Sequence, residues 1–196
     1  ICALLKKNLM HILSALSLIF MGIGLLVEYL ILDRKQGREK GSYYLGITLT
    51  FIGTWMGSQI DVRQLLFNNI LLLWNMEYLS LIMIPIPALL FVNKMEHGIC
   101  QKELYSLCLF IALCDVFIIT SAGIGVYSFV ELNLLVDFLI LLTCIAIARS
   151  FFVIRVKDID LFKDLTWMIG AGSTLISFSI IELLSFFLNG YENQGR

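Results

Sequence analysis

Charged residues are scarce in this chain of 196 residues: they make up 15% of it, while 59% of its residues are hydrophobic. A soluble globular domain carries about 25% charged residues, so the deficit argues against a soluble protein. The net charge is −1, and the basic residues form no patch outside a few short polar breaks. This charge pattern argues against a nucleic-acid partner.

Residue patterns that support enzymatic or metal chemistry are missing as well. No nucleophile–base pair and no phosphate-binding loop is recognisable. His97 and Cys100 share one break at His-x-x-Cys spacing, but a pair of ligands falls short of a structural zinc site. The cysteines show neither a metal spacing nor a pair in an oxidising compartment; they are Cys2, Cys100, Cys108, Cys114 and Cys144. We therefore expect no catalytic residue, no metal and no cofactor in this chain.

Long apolar runs occupy most of the sequence. A bilayer core about 30 Å thick is crossed by a helix of roughly 17–25 apolar residues, and six such runs are present. The sequence therefore predicts an all-α, polytopic membrane helix bundle with six visible spans. Their approximate bounds are 9–32, 43–58, 70–92, 104–122, 132–154 and 165–188.

Basic residues indicate the direction of these spans. Ten of the 14 Lys and Arg residues lie in or beside three breaks, at 33–42, 93–103 and 155–164. Cytoplasmic loops retain positive charge, so we predict that these breaks are cytoplasmic and that both chain ends are outside. Lys6 and Lys7 oppose this orientation. The ten residues are Arg34, Lys35, Arg38, Lys40, Lys94, Lys102, Arg149, Arg155, Lys157 and Lys163.

Acidic residues inside the spans are the main candidates for a binding site. Charge in hydrocarbon is costly and normally faces protein or water, and no basic residue in the outer half of a span accompanies these acids. One hypothesis is an outward-facing pocket for a ligand, a cation or protons; the other is a set of separate helix–helix hydrogen bonds. The candidates in the predicted outer half are Glu77, Asp115, Asp137 and Glu182, with Asn75 and Asn133 at similar depth.

Prolines and glycines predict irregularities in two spans. Pro85 and Pro87 lie in the third span, where each removes a backbone donor, so a kink or local unwinding is expected. Gly53 and Gly57 in the second span have the small-xxx-small spacing that lets helices approach closely.

The second and third spans resemble those of a known receptor family. They read Tyr44-Leu-Gly-Ile-x-Leu-x-x-x-Gly53-x-Trp55 and Glu77-Tyr-Leu-Ser-Leu-Ile-Met-Ile-Pro85-Ile-Pro87-x-Leu-Leu-Phe91. This resembles the membrane region of bacterial seven-transmembrane receptors with diverse intracellular signalling modules, of the kind preceding GGDEF diguanylate cyclase domains. The resemblance implies a multi-pass protein of the bacterial cytoplasmic membrane. It also implies an upstream extracytoplasmic sensor or small ligand, and a seventh helix leading to a cytoplasmic output domain, commonly a GGDEF cyclase or a histidine kinase.

The domain organisation expected from this resemblance has three parts. Residues 1–8 end an extracytoplasmic or linker segment, residues 9–188 form the helix bundle, and residues 189–196 begin an outer loop leading to a missing seventh span. Without an output domain, this chain carries no GGDEF catalytic residue and is not itself an enzyme. The expected partners are the lipid bilayer, the sensor or ligand, the output domain and a second copy in a homodimer.

Two functions remain open at this point. The first is a sensory and signal-transmitting membrane domain. The alternative is a small proton- or cation-coupled transporter, a class that often repeats a broken helix in both halves. The proline pair of span three has no counterpart in span six, where Gly170 and Gly172 lie near the opposite end, and this favours the sensory domain.

Overall fold

Helices make up the ordered secondary structure throughout the part of the chain that the computed structural model describes, residues 2–33, 41–58, 70–96, 99–127, 131–157 and 159. The chain divides into two compact units, residues 1–143 and 144–196. The helices are α1 (Cys2–Glu28), which continues as a π-helical turn (Tyr29–Asp33), α2 (Gly41–Ser58), α3 (Ile70–Met83), α4 (Pro85–Met95), α5 (Gln101–Ile124) and α6 (Asn133–Lys157). Helix α6 therefore begins in the first unit and ends in the second.

Four helical segments are long and apolar enough to cross a membrane: His11–Ile31, Asn75–Met95, Gln101–Ile124 and Asn133–Lys157. This confirms the all-α class and indicates a membrane protein. Helix α2 occupies the predicted second span but is not among the four, because its tyrosines and threonines make it less apolar. The predicted span at 165–188 lies outside the described residues. Among the described residues, the structure thus shows four candidate spans.

The third predicted span is interrupted at Ile84, between α3 and α4. Ile84 keeps helical dihedral angles, with φ −68° and ψ −44°. Its N–H donates to the Leu81 carbonyl over 3.3 Å, which is a tighter turn than that of an α-helix. Pro85 then begins α4. The interruption is therefore a local break between two half-helices. Ile84, between them, keeps a right-handed helical conformation.

Helix α2 links the bundle together. It packs most extensively on α1, and it also contacts both half-helices, α3 and α4. Helix α4 in turn packs on α5. In the connection between Met95 of α4 and Gln101 of α5, the Ile99 N–H donates to the Glu96 carbonyl over 3.2 Å.

Glycines set the spacing between α1 and α2. A Cβ on Gly53 would lie 2.9 Å from the Ala15 carbonyl oxygen, and one on Gly46 would lie 2.9 Å from the Gly22 carbonyl oxygen. A Cβ on Gly22 would meet the Thr50 hydroxyl. Separations this short are outside normal carbon contacts, so these glycines allow the two backbones to approach closely.

The polar side chains of α2 are satisfied within the helix itself. The Thr50 hydroxyl donates to the Gly46 carbonyl over 2.8 Å, and the Thr54 hydroxyl donates to the Thr50 carbonyl over 2.8 Å. Such bonds to the preceding turn let threonine lie in an apolar environment. Helix α2 can therefore pack at the centre of the bundle although its sequence is only moderately apolar.

Candidate functional site

Three of the four candidate carboxylates lie in the described part of the chain: Glu77 on α3, Asp115 on α5 and Asp137 on α6. Glu182 and His97 lie outside it. Asp115 lies in the second half of α5, away from the connection between α4 and α5. The end of the bundle at that connection carries Lys94 and Lys102 and is called the basic end below.

The charges of Glu77 and Asp137 both act on Tyr78, a residue that the sequence pattern does not single out. Asp137 also accepts a hydrogen bond of 3.4 Å from the Asn133 side-chain amide. The half-buried Tyr78 follows Glu77 directly in the sequence, and this adjacency was the available signal. Asn75 is exposed and takes no part in this group.

Asp115 is separate from this group and deeper in its helix. It lies nine residues before the last residue of α5, Ile124, whereas Asp137 lies four residues after the first residue of α6. At 1.5 Å per residue, these depths are about 14 Å and about 6 Å. Asp115 is therefore further from the end of its helix than Asp137 is, and it forms no hydrogen bond with Glu77 or Asp137.

The environment of Asp115 is apolar. Its side chain is 4% exposed, and Ile111 and Ile118, one turn away on either side, are fully buried. Both carboxylate oxygens are enclosed, and neither has a hydrogen-bond partner among the described residues. A buried polar group without a partner normally costs about 1–3 kcal/mol, and an ionised one costs more. Asp115 is thus the most unfavourably placed polar group of the predicted spans that are described.

The break at Ile84 separates α3 from α4, and α4 packs on α5, the helix that carries Asp115. Pro85 and Pro87, the predicted kink residues, are buried in the first turn of α4.

The two glycines of the predicted second span, Gly53 and Gly57, differ in how closely they approach α1. Gly53 touches α1 through the backbone of Ala15 and Ile19, whereas a Cβ on Gly57 would lie at an ordinary 3.7 Å from the Ala15 Cβ. Gly22 and Gly46 contribute equally close contacts. Gly22 and Gly46 lie on different helices and form no local motif, so the sequence pattern does not reveal their contact.

The turn at the basic end holds a buried acidic side chain that helps to begin α5. Glu96 is 0% exposed, and its Oε1 accepts a hydrogen bond of 3.3 Å from the backbone N–H of Cys100. Acidic groups at helix starts satisfy donors that have no partner in the helix. Within the described ranges, no three His, Cys, Asp or Glu side chains converge as metal ligands.

The described residues thus contain a buried carboxylate without a hydrogen-bond partner, Asp115, and a membrane-spanning segment that is interrupted at Ile84. No family model, curated protein or solved structure matches the chain. The assignment of function therefore depends on the side chains and helices described above.

Proposed function

We propose that this chain is the sensory, signal-transmitting membrane domain of a bacterial receptor. In this proposal six spans of a seven-helix bundle are present, the chain starts outside, and the basic breaks at 33–42, 93–103 and 155–164 face the cytoplasm. A seventh span would lead to an output domain such as a GGDEF diguanylate cyclase or a histidine kinase. The sequence resemblance and the distribution of basic residues support this organisation.

The observation that carries the proposal is the break at Ile84 in an otherwise continuous membrane-spanning segment. The half-helix on one side carries Glu77 and Tyr78, and the half-helix on the other side ends at the turn of the basic end. Pro85 and Pro87 cannot donate to the carbonyls of Leu81 and Met83. A change in angle at this point therefore breaks few backbone hydrogen bonds, which makes the break a suitable hinge.

Helix α2 would spread such a change through the bundle. It contacts α3 and α4 and is held tightly against α1. If the angle between α3 and α4 changes, the contacts of α2 with at least one of these two half-helices must change too. A stimulus moves the equilibrium only if it binds the two arrangements with different affinity. The group formed by Glu77, Tyr78 and Asp137 is the proposed place for a small ligand or an upstream sensor to act.

A proton- or cation-coupled transporter is the second candidate, because Asp115 is a buried acid beside a broken helix. Transporters place coupling ions at such breaks near the middle of the membrane. In that case Asp115 would have to be reached alternately from both sides of the membrane. A receptor requires only that its charge or hydrogen bonding changes.

Proton flux distinguishes the two functions. We expect the chain, reconstituted in liposomes with an internal pH-sensitive dye, to show no sustained proton flux above protein-free liposomes under an imposed pH or sodium gradient. Asp115→Asn serves as the matched variant and should give the same result. Sustained flux in the parent that is lost in Asp115→Asn would establish a transporter and overturn the receptor proposal.

A further inference from the structure

The C-terminal end of α5 presents an exposed apolar turn. Residues 123–127 are all exposed, and two of them, Ile124 and Val126, are 77% and 62% exposed. From residue 104 to residue 130 the sequence carries a single charged residue, Asp115. Exposed apolar surface of this kind marks contact with a membrane or with another protein, so we expect the turn to contact one of the two.

Helix α5 is long enough to cross a bilayer before this turn begins. Its residues from Leu104 to Ile124 rise about 30 Å at about 1.5 Å per residue, and the hydrocarbon core of a bilayer is also about 30 Å thick. The apolar residues that follow Ile124 are therefore not needed to complete the span. They extend the uncharged surface past the hydrocarbon core.

The backbone of the turn is folded so that it satisfies polar groups at the end of the helix. Gly125 has a left-handed φ of 79°, and its N–H donates to the Ala122 carbonyl over 3.2 Å. The Val126 N–H donates to the Ser121 carbonyl over 3.0 Å. These two bonds form a Schellman motif, which satisfies carbonyls that a helix leaves open at its C-terminus. A turn closed in this way can lie at the edge of hydrocarbon, where an open loop is costly.

The turn continues the exposed apolar face of α5. That face is exposed along the helix at Leu109, Leu113 and Val116, whereas the opposite face carries the buried Ile111. Ile124 follows Leu113 by about three helical turns, so it lies on the same face. In a membrane-crossing helix an exposed apolar face contacts lipid tails, which are as apolar as leucine. The continuity of this surface favours lipid, rather than a separate protein, as the partner of the turn.

We propose that residues 124–127 insert into the interface of the leaflet at the end of α5 away from the basic end, with Ile124 and Val126 against acyl chains and the Tyr127 ring at headgroup level. Tyrosine favours that zone because its ring is amphipathic. The insertion also sets the depth of α5. Asp115, nine residues before Ile124, then lies about 14 Å below the edge of the hydrocarbon, close to the middle of a core about 30 Å thick. The inference requires only that α5 crosses a membrane, so it holds for a receptor and for a transporter.

Collisions of spin labels with paramagnetic reagents test the insertion. Oxygen partitions into hydrocarbon, whereas a water-soluble nickel chelate stays in the aqueous phase. With the chain in lipid vesicles and in a background without native cysteines, a label at Val126 is expected to collide more often with oxygen than with the nickel chelate. A label at Ile124 should show the same preference more strongly, because Ile124 is nearer to the hydrocarbon. Both side chains are exposed, so labels at these positions leave the packing of the bundle intact.

Two exposed positions on the same helix are the controls. A label at Gln101, the first residue of α5, should collide mainly with the nickel chelate. A label at Leu113, in the middle of the exposed face, should collide mainly with oxygen, which shows that the labelled chain is inserted. If the label at Val126 behaves like the one at Gln101, the turn is in water and the proposal is overturned. Few collisions with either reagent at Val126 would mean that a protein surface covers the turn, and this result would overturn the proposal as well.

Discussion

Alanine at Gly53 or at Gly22 is expected to destabilise the bundle by about 1–3 kcal/mol, the usual cost of an added methyl group in a packed interior. At Gly53 the new Cβ would lie 2.7 Å from the Ile19 Cγ1 and 2.9 Å from the Ala15 carbonyl oxygen. At Gly22 it would lie 2.7 Å from the Gly46 carbonyl oxygen. Because several of these neighbours are backbone atoms, they cannot rotate away, and α1 must move from α2.

Two nearby glycines provide matched controls for this experiment. Gly24, two residues after Gly22 on α1, has nothing within 4 Å of an added Cβ, and at Gly57 the nearest atom is at 3.7 Å. Alanine at either position should be neutral or slightly stabilising, since glycine in a helix costs about 1 kcal/mol relative to alanine. Unfolding in mixed detergent micelles, followed by tryptophan fluorescence, measures all four variants. Equal stability of the Gly53 and Gly57 variants would contradict the close packing of α1 on α2.

Leucine at Asp115 is expected to stabilise the bundle, which is unusual for the replacement of a buried residue. The carboxylate has no partner among the described residues, and an ionised aspartate at the centre of a membrane helix costs about 2.5–3.5 kcal/mol. The gain should therefore approach about 3 kcal/mol at alkaline pH, where the parent carries a charge. In acid the gain should be smaller, because the protonated acid no longer carries a buried charge.

Asp137→Leu is the control for this effect. Asp137 is only half-buried, lies near a helix end and accepts a hydrogen bond from Asn133, so its replacement should give little or no gain at any pH. The measurement is the same detergent unfolding at several pH values. Destabilisation by Asp115→Leu at all pH values would mean that the carboxylate has a strong partner in the bundle.

The stabilities of the Asp115→Leu and Asp137→Leu variants also bear on why a polar residue without a partner occupies a buried position. Polar groups without partners are often retained where function needs them, at the expense of stability. If leucine stabilises the chain but abolishes the response to protons, Asp115 is a functional residue in this sense.

The helices were predictable from the sequence because apolar length and basic breaks are local properties. The third span shows this clearly: Pro85 and Pro87 predicted an irregularity, and the structure interrupts the helix at Ile84. Helix α2 is harder to recognise as a membrane span, because spans are recognised by their mean hydropathy. The hydroxyl groups of Thr50 and Thr54 lower that hydropathy although each is satisfied within its own helix.

The candidate site was predictable only in part. Sequence position places Glu77, Asp115 and Asp137 in the same half of the bundle, but it does not give the rotation of each helix about its axis. That rotation leaves Asp115 in an apolar stripe between Ile111 and Ile118. Packing between helices, which also pairs Gly22 with Gly46, is a property of the folded bundle.

The central claim is that the break at Ile84 is a hinge at which the angle between α3 and α4 changes with the state of the carboxylates of the bundle. Double electron–electron resonance tests it most directly, with spin labels at Lys94 on α4 and at Glu28 on α1, in nanodiscs and in a background without native cysteines. We expect the distance between the labels to shift by at least about 2 Å between acidic and alkaline pH, as helix rearrangements do. The double variant Pro85→Ala and Pro87→Ala, which supplies the missing backbone donors at the break, should abolish the shift. One unchanging distance across pH, or the same shift in the parent and in the double variant, would contradict the claim.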